Sequence, residues 1–347
     1  MLSNNMSLIN PYKAIALQLT CKAINECTIA QAKEQMLQSL QHTGKQIKAS
    51  KAFIGQDLKL VVLPEYFLTG FPMGESIAEW QEKGCVDVEG EVVDEIKKIA
   101  VDNNTFLSGN LYERDVHFPQ LYFQASFIID PKGELILRYR RLNSMFAPTP
   151  HDVLDEYIKV YGTDALFPVA KTEIGNLACI ASEEILYPEI ARCLAMKGAE
   201  VLLHSSSEVG SMMPTQKNIA KLARAFENML YVVSANSAGI TGYAIPAQST
   251  DGHSQIVNYE GLKLCEAGFG ESMVANATIH IDALRYHRNR PGMSNFLSRQ
   301  RNELFASTYN QTLYPANTIS NKTIDRTHFI NTQKEVIEKL KQKKIIS

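Results

Sequence analysis

The sequence predicts an α/β protein in which much of the β-sheet is buried. Short, continuous apolar runs such as Leu58–Leu63 are typical of strands that are covered on both faces. Segments with apolar residues at helical spacing lie between these runs, and such alternation of strand and helix indicates this fold class. Hydrophobic residues make up 45% of the 347 residues and charged residues 21%, which is sufficient for a substantial core.

Two helices and five strands are predicted in the first half of the chain. A helix from about residue 28 to residue 51 has Thr28 in the N-cap position, and a second helix covers Val92–Asn103. A turn at 131–134 joins the last two strands into a hairpin. The strands are Ala14–Leu19, Leu58–Leu63, Thr105–Leu111, Tyr122–Ile129 and Leu135–Arg138.

The second half is predicted to begin with an irregular polar loop at 143–165, which is long enough to indicate a function. Helices at Pro188–Lys197 and Pro214–Asn228 follow, and the polar tail after Arg285 ends in a basic helix at Lys334–Lys344. The predicted strands are Leu177–Ala181, Glu200–Leu203, Leu230–Ala235, Ser254–Asn258 and Met273–Ile281.

Charge and cysteine content argue against several classes of function. The 35 Lys and Arg residues balance 37 Asp and Glu residues, which predicts no nucleic-acid partner and no anionic membrane partner. No apolar run reaches the roughly 18 residues of a transmembrane helix, and the first residues do not resemble a signal peptide. The six cysteines are scattered without ligand spacing, so we expect free thiols in the cytoplasm, no metal site and no cofactor.

Five stretches of the chain carry motifs in a recognisable order and strand context. They are LVVLPEYFLTGFP (60–72), GELILRYRRLNS (133–144), IGNLACIASEEILYPE (174–189), RAFENMLYVVSAN (224–236) and DGHSQIVNYEG (251–261). No single stretch is specific, but together, over roughly residues 13–290, the five resemble the motifs of the nitrilase superfamily, the carbon-nitrogen hydrolases.

The resemblance assigns the three catalytic positions to Glu65, Arg141 and Ser182, where the superfamily has Glu, Lys and Cys. The third position is found by counting back from Tyr187-Pro188-Glu189, and it falls on Ser182 rather than on Cys179. Two of the three catalytic residues therefore depart from the superfamily pattern.

The resemblance also implies an architecture, an αββα sandwich of two face-to-face β-sheets with helices outside. It implies a homodimer or larger homo-oligomer that pairs helix layer to helix layer. Residues 1–290 are expected to form the carbon-nitrogen hydrolase-like domain. Residues 291–347 are expected to form a C-terminal extension, an oligomerisation arm with a terminal helix.

The altered residues change what the site can do. In the superfamily a thiol attacks the substrate, a carboxylate moves protons and a cation stabilises the negative oxygen. A serine hydroxyl is far less acidic than a thiol, and serine enzymes usually supply a histidine or lysine base. The motifs indicate only Glu65, and a neighbouring Arg141 favours its ionised form and weakens it as a base. Arg141 keeps its proton, so its role is electrostatic.

Five further residues are candidates for substrate binding. Tyr66 and Glu183 are the direct neighbours of catalytic positions, and the resemblance directs the Glu183 N–H at the oxyanion, with its side chain free to point to solvent. His151 lies on the long loop, and His204 ends a strand, the usual position of site residues in open α/β folds. Ser206 belongs to a polar run behind that strand.

Two classes of function remain open at this stage. In the first, the chain is a divergent hydrolase of a small amide-like substrate, with Ser182 as nucleophile or orienting hydroxyl, or with Glu65 activating water directly. In the second, it is a pseudoenzyme in which Glu65 pairs with Arg141 and the pocket binds a small molecule or serves assembly. An engineered Cys-to-Ser change would explain Ser182 but not Arg141. Retained polar residues around the pocket favour a functional ligand site over a mere scaffold.

Overall fold

Two β-sheets form the centre of the molecule in the computed structural model, which describes residues 8–319 and 324–347. The strands are β1 Tyr12–Ala16, β2 Cys21–Lys22, β3 Leu58–Val62, β4 Cys85–Val86, β5 Phe106–Arg114, β6 Tyr122–Ile129, β7 Leu135–Arg140, β8 Ala170–Thr172, β9 Gly175–Ala181, β10 Val201–Ser205, β11 Tyr231–Ala235, β12 Ile240–Thr241, β13 Gln255–Val257, β14 Lys263–Glu266 and β15 Asn276–Ile279. The helices are α1 Ile29–Ile54, α2 Ile77–Lys83, α3 Glu91–Asn103, α4 Leu154–Tyr161, α5 Pro188–Met196, α6 Gln216–Asn228, α7 Ile281–Asn289, α8 Asn302–Tyr309 and α9 Arg326–Gln342.

The first sheet has the order β15-β1-β3-β5-β6-β7, with β4 paired to β5, and the second has the order β14-β13-β11-β10-β9-β8. The pairs β1–β3, β3–β5, β9–β10 and β10–β11 are parallel. Strands β3, β9 and β10 therefore lie inside their sheets. This central position accounts for their continuous apolar sequences, since such strands are covered on both faces.

Two helix layers enclose the sheets. One face of the first sheet packs against α1 and α3 through residues such as Met36, Leu40 and Ile96. Its other face meets the second sheet in an inter-sheet core that includes Leu60 and Cys179, and α5 and α6 cover the far side of that second sheet. The predicted αββα sandwich is confirmed.

Helix α1 begins with the predicted cap. Thr28 Oγ1 accepts a hydrogen bond from the Gln31 N–H at 3.3 Å, and Gln31 Oε1 accepts one from the Thr28 N–H at 2.9 Å. These two bonds satisfy donors that the first turn of a helix otherwise leaves without a partner. We expect Thr28→Ala to lower the free energy of unfolding by about 1 kcal/mol, measured by urea denaturation. Thr28→Ser, which keeps the acceptor, is the control, and an equal loss in both variants would contradict the capping role.

Several short elements, among them α2, α8, β8 and β14, were not predicted, and three predicted segments have a different structure or different bounds. Residues 143–165 contain α4 and flanking 3-10 turns rather than an irregular loop alone. The predicted strand Met273–Ile281 is shortened to β15, because helix α7 begins at Ile281. The terminal helix α9 begins at Arg326, where Asp325 caps it, rather than at Lys334.

Arg140 anchors α4 to the first sheet. Its buried guanidinium donates to Glu113 and Asp115. The ring centroids of Phe123 and Tyr161 lie 4.6 Å from its Cζ. A polar segment thereby gains a fixed position, because aromatic faces and carboxylates hold one desolvated cation between them.

The C-terminal extension packs on its own chain. Ile319, Ile324 and Phe329 join Phe118 and Tyr157 in a small apolar cluster beside α4. A hydrogen bond from the Ile319 N–H to the Asp152 carbonyl at 3.2 Å continues this contact. Among the residues that the structure describes, no helix combines the length and the hydropathy that crossing a membrane requires.

Candidate active site

Glu65, Arg141 and Ser182 each follow the carboxyl end of a strand, β3, β7 and β9 respectively. All three side chains are withdrawn from solvent, with relative exposures of 1%, 6% and 7%. The first two strands belong to one sheet and the third to the facing sheet, so the residues converge from both sides of the sandwich. Arg141 contacts both Glu65 and Glu183, the residue after Ser182, so the link from Arg141 to Ser182 runs through the neighbouring residue.

Ser182 occupies a left-handed turn between β9 and a 3-10 helix at Ser182–Leu186, with φ of 50°. This conformation is unfavourable for a residue with a side chain, and strain of this kind is concentrated at functional sites. Two buried residues hold the turn. His204 Nε2 lies 2.9 Å from the Ser182 carbonyl oxygen, and Glu184 Oε2 accepts from the Ala181 N–H at 3.2 Å.

Glu184 ties the serine turn to the end of β7. Its Oε1 accepts from the Tyr139 hydroxyl at 2.9 Å and from the N–H groups of Leu142 and Asn143 at 2.7 and 3.1 Å. Burial raises the pKa of Glu184 to about 7, although Arg141 and these donors oppose the shift. Glu184 therefore couples the backbone beside Arg141 to the backbone beside Ser182.

Arg141 is held by four acceptors. Its Nε donates to the Asn143 carbonyl at 2.6 Å, and Nη1 donates to Gln124 Oε1 at 2.7 Å and Glu65 Oε1 at 3.3 Å. Its Nη2 donates to Glu183 Oε1 at 2.5 Å. A guanidinium has five N–H groups, so one on Nη2 remains after the contacts within the described residues.

Glu65 is fixed by hydrogen bonds of its side chain and its backbone. Oε1 accepts from Gln124 Nε2 at 2.7 Å and from Arg141 at 3.3 Å, while the Glu65 N–H donates to the Ser206 carbonyl at 3.2 Å. The neighbouring Tyr66 hydroxyl also interacts with this carboxylate. The carboxylate is therefore held in a defined position at the end of β3.

Lys217, in the first turn of α6, is the member of the site that the sequence-based analysis missed. Its Nζ donates to Ser182 Oγ at 3.3 Å, and the side chain is half-buried. Burial lowers the pKa of Lys217, with Arg141 and Lys221 acting in the same direction. A sequence signal existed, since Lys217 and Lys221 are one turn apart on a helix whose polar residues face inward.

The predicted binding residues occupy three kinds of position. Glu183 and His151 line an open cavity of about 950 Å³ between the 143–167 segment and the extension. Glu183 does not point freely to solvent as the sequence allowed, because its carboxylate contacts Arg141. Tyr66, with φ of 56°, stacks on Tyr112 at 5.5 Å between ring centroids, and burial raises its pKa.

His204 and Ser206 lie behind the site. Both ring nitrogens of His204 are bonded, Nε2 to the Ser182 carbonyl and Nδ1 to Ser234 Oγ at 2.8 Å. A carbonyl oxygen only accepts, so Nε2 carries the proton, and burial lowers the pKa of His204 to about 3. Ser206 is fully buried and holds the Glu65 backbone, and its Oγ has no hydrogen-bond partner within the described residues.

The described residues, those of this site included, contain no group of three or more His, Cys, Asp or Glu side chains that could hold a metal ion. All six cysteines are free thiols. Cys179 lies in the inter-sheet core, and burial raises its pKa to about 12, which suppresses the reactive thiolate. The chemistry available is therefore that of a hydroxyl, carboxylates, a guanidinium and an amine.

The chain resembles known proteins in sequence. A family model described as Carbon-nitrogen hydrolase matches residues 20–288. A formamidase from Bacillus thuringiensis is 25% identical over 269 residues, covering 77% of this chain and 75% of its own, and a formamidase from Bacillus cereus is 27% identical over 240 residues, covering 69% and 67%.

Solved structures share the fold. A carbon-nitrogen hydrolase from Helicobacter pylori has a TM-score of 0.67 at 20% identity, covering 87% of this chain and 99% of its own. A mutant of the amidase from Nesterenkonia sp. AN1, solved in complex with butyramide, has a TM-score of 0.62 at 18% identity, covering 85% and 96%.

Proposed function

This chain belongs to the carbon-nitrogen hydrolase family, and from that premise we propose that it hydrolyses a small amide through Glu65, Arg141 and Ser182. Formamidases among its relatives support a short, neutral amide as the substrate class. The proposal depends most on Ser182, a hydroxyl held in a strained turn at the end of a buried strand and in contact with a lysine amine.

Each residue has a role in the proposed reaction. Ser182 Oγ attacks the amide carbon, the carbon–nitrogen bond breaks, and water then hydrolyses the acyl ester. Glu65 takes a proton from that water and returns it to Ser182 Oγ as the acyl group leaves. The remaining N–H of Arg141 donates to the developing oxyanion, where a fixed charge in a dry site has its greatest effect.

His204 acts in this proposal as a positioning residue rather than as the substrate contact predicted from sequence. Its Nε2–H fixes the carbonyl of Ser182, and its other nitrogen is taken by Ser234. His204 therefore stabilises the left-handed turn of Ser182 through its backbone and does not itself contact the substrate. Glu183 and His151, which line the open cavity, remain candidates for substrate contact, with Tyr66 and Ser206 nearer Glu65.

One observation favours the alternative of a pseudoenzyme. Arg141 donates hydrogen bonds to two carboxylates, Glu65 and Glu183, and also to Gln124 and Asn143. Such a satisfied cluster is also what a structural ion network in a binding pocket looks like. In that case the cavity binds a small molecule that is not turned over.

Assembly is part of the proposal. Ile219 and Phe226 lie on the outward face of α6 with 60% and 41% of their surface exposed, and Met196 on the neighbouring α5 is 51% exposed. An apolar face on this helix layer fits a second copy of the chain, so we propose a homodimer or larger homo-oligomer. We also propose that the protein is located in the cytoplasm.

The proposal is tested by ammonia release from a panel of short amides, nitriles and carbamoyl compounds, with formamide included. We expect turnover of at least one short amide and a loss of about 100-fold in kcat for Glu65→Gln, which keeps the shape of the side chain but cannot take up a proton. If no compound is hydrolysed while the double variant Ser182→Cys, Arg141→Lys gains activity, the pseudoenzyme alternative replaces the proposal.

A further inference from the structure

We propose that Lys217, in its neutral form, is the base that removes the proton from Ser182. This inference rests on the proposed function, because it concerns the same nucleophile. It assigns a residue on α6 to a step for which the motifs indicate only Glu65. The amine and the hydroxyl are 3.3 Å apart, which is hydrogen-bond distance for the transfer.

Two lysines of one helix face show what distinguishes Lys217. Lys221, one turn further along, is fully buried and forms an ion pair with Glu208, whose N–H donates to Asn236. Lys217 forms no ion pair with any carboxylate of the described residues, and its hydrogen bond ends on the Ser182 hydroxyl. A structural cation would be expected to have a carboxylate partner, as Lys221 has.

The surroundings favour the neutral amine. Lys217 lies in the first turn of a 13-residue helix, where the positive end of the helix dipole disfavours an additional positive charge. Burial lowers the pKa of Lys217, and the charges of Arg141 and Lys221 lower it further, while Glu65 and Glu208 oppose the shift. His204, which also faces Lys217, is neutral because burial lowers its pKa to about 3.

Glu65 is less suited to this step. Its Oε1 is occupied by Gln124 and Arg141, and neither Gln124 nor Arg141 joins it to the Ser182 hydroxyl. A hydroxyl is a very weak acid, so its deprotonation needs a base considerably stronger than a paired carboxylate. A desolvated lysine supplies such a base, as in other enzymes that pair serine with lysine.

The proposed step is balanced within the site. The Ser182 O–H bond breaks as its proton passes to the lone pair of Lys217 Nζ, and Oγ forms a bond to the amide carbon. When the carbon–nitrogen bond breaks, the ammonium of Lys217 gives the same proton to the departing nitrogen. Lys217 is thus neutral again when the acyl ester has formed, and Glu65 remains available for the water step.

Acetylation of Ser182 by p-nitrophenyl acetate isolates this step, because the leaving group needs no proton. We would measure the p-nitrophenol burst between pH 6 and pH 10 and locate the acetyl group by peptide mass mapping. In the natural protein the rate is expected to rise with pH as Lys217 loses its proton and to level off below the usual lysine pKa of about 10.4. In Lys217→Met and Lys217→Arg we expect the rate of Ser182 acetylation to fall about 100-fold and no longer to rise with pH.

Lys217→Arg is the decisive variant, because it keeps the positive charge but cannot give up a proton. A Lys217→Arg protein that acetylates Ser182 at the natural rate overturns the inference and leaves Ser182 as the nucleophile. Failure of the natural protein to acetylate Ser182 overturns the proposed function together with the inference. Gln216→Met, on the exposed neighbouring position, serves as the control for substitutions in this turn, and circular dichroism verifies that each variant folds.

Discussion

Ser182→Ala is expected to lower kcat for amide hydrolysis by about 10⁴-fold or more, since removal of the nucleophile in acyl-transfer enzymes has effects of this size. Alanine removes one oxygen atom and leaves the left-handed turn, which His204 and Glu184 hold through the backbone. The binding of the amide should therefore be nearly unchanged. Steady-state kinetics would show the loss in kcat, and calorimetry of a short amide with the variant would show retained affinity.

Cys179→Ala provides the matched control, because Cys179 lies on the same strand three residues earlier. Its thiol is buried in the inter-sheet core with a pKa raised to about 12, so we expect kcat to be unchanged. The opposite pattern, with Cys179→Ala inactive and Ser182→Ala active, would move the nucleophile to the thiol. Unchanged hydrolysis in both variants would point to direct activation of water by Glu65.

The sequence predicted those parts of the site for which the catalytic motifs and the strand order indicate the same position. Glu65 and Ser182 follow buried strands, and residues at the carboxyl ends of central strands converge in α/β folds, so motif and topology indicated the same place. The departure at Ser182 was readable because Tyr187-Pro188-Glu189 fixes the alignment. The role of Glu183 was not readable, since its contact with Arg141 depends on how the turn after β9 faces the end of β7.

Lys217 was not predicted because α6 turns a polar face toward the protein interior, the reverse of what its hydrophobic pattern indicates. Its buried positions include Lys221 and Arg224, whereas Ile219 and Phe226 are largely exposed. Periodicity places the apolar stripe of a helix toward the core, and here the polar stripe faces inward toward the site. An inward row of basic residues beside a nucleophile position is thus a signal for function that hydrophobic pattern alone hides.

Helix α4 escaped prediction for a different reason. Its eight residues are too few for periodicity to stand out between two prolines, and its main anchor is a residue of another strand, Arg140. Tyr157 and Tyr161 are four residues apart and therefore share a helix face, which places both rings near the guanidinium of Arg140. Tertiary contact rather than local preference determines this element.

Arg140→Met is expected to lower the free energy of unfolding by about 4 kcal/mol, because it removes the buried cation that Glu113 and Asp115 share and leaves Glu113 only the more distant Arg138, at 3.8 Å. Both carboxylates have 3% or less of their side-chain surface exposed. The methionine retains contact with the rings of Phe123 and Tyr161 but neutralises neither acid. Urea denaturation of the variant and the natural protein at pH 7 measures the difference.

Lys98→Met removes an exposed ion pair rather than a buried one and serves as the control. Lys98 and Asp102 are 62% and 54% exposed, so solvent already screens the pair and we expect a change below about 1 kcal/mol. If Arg140→Met were no more destabilising than Lys98→Met, the buried carboxylates would not depend on Arg140. In that event α4 would be held by its apolar contacts and by hydrogen bonds such as the one from the Tyr161 hydroxyl to Asp115. A large loss in the free energy of unfolding would instead indicate that the buried guanidinium of Arg140 stabilises the region around α4. That region includes part of the wall of the open cavity, to which α4 contributes Leu154.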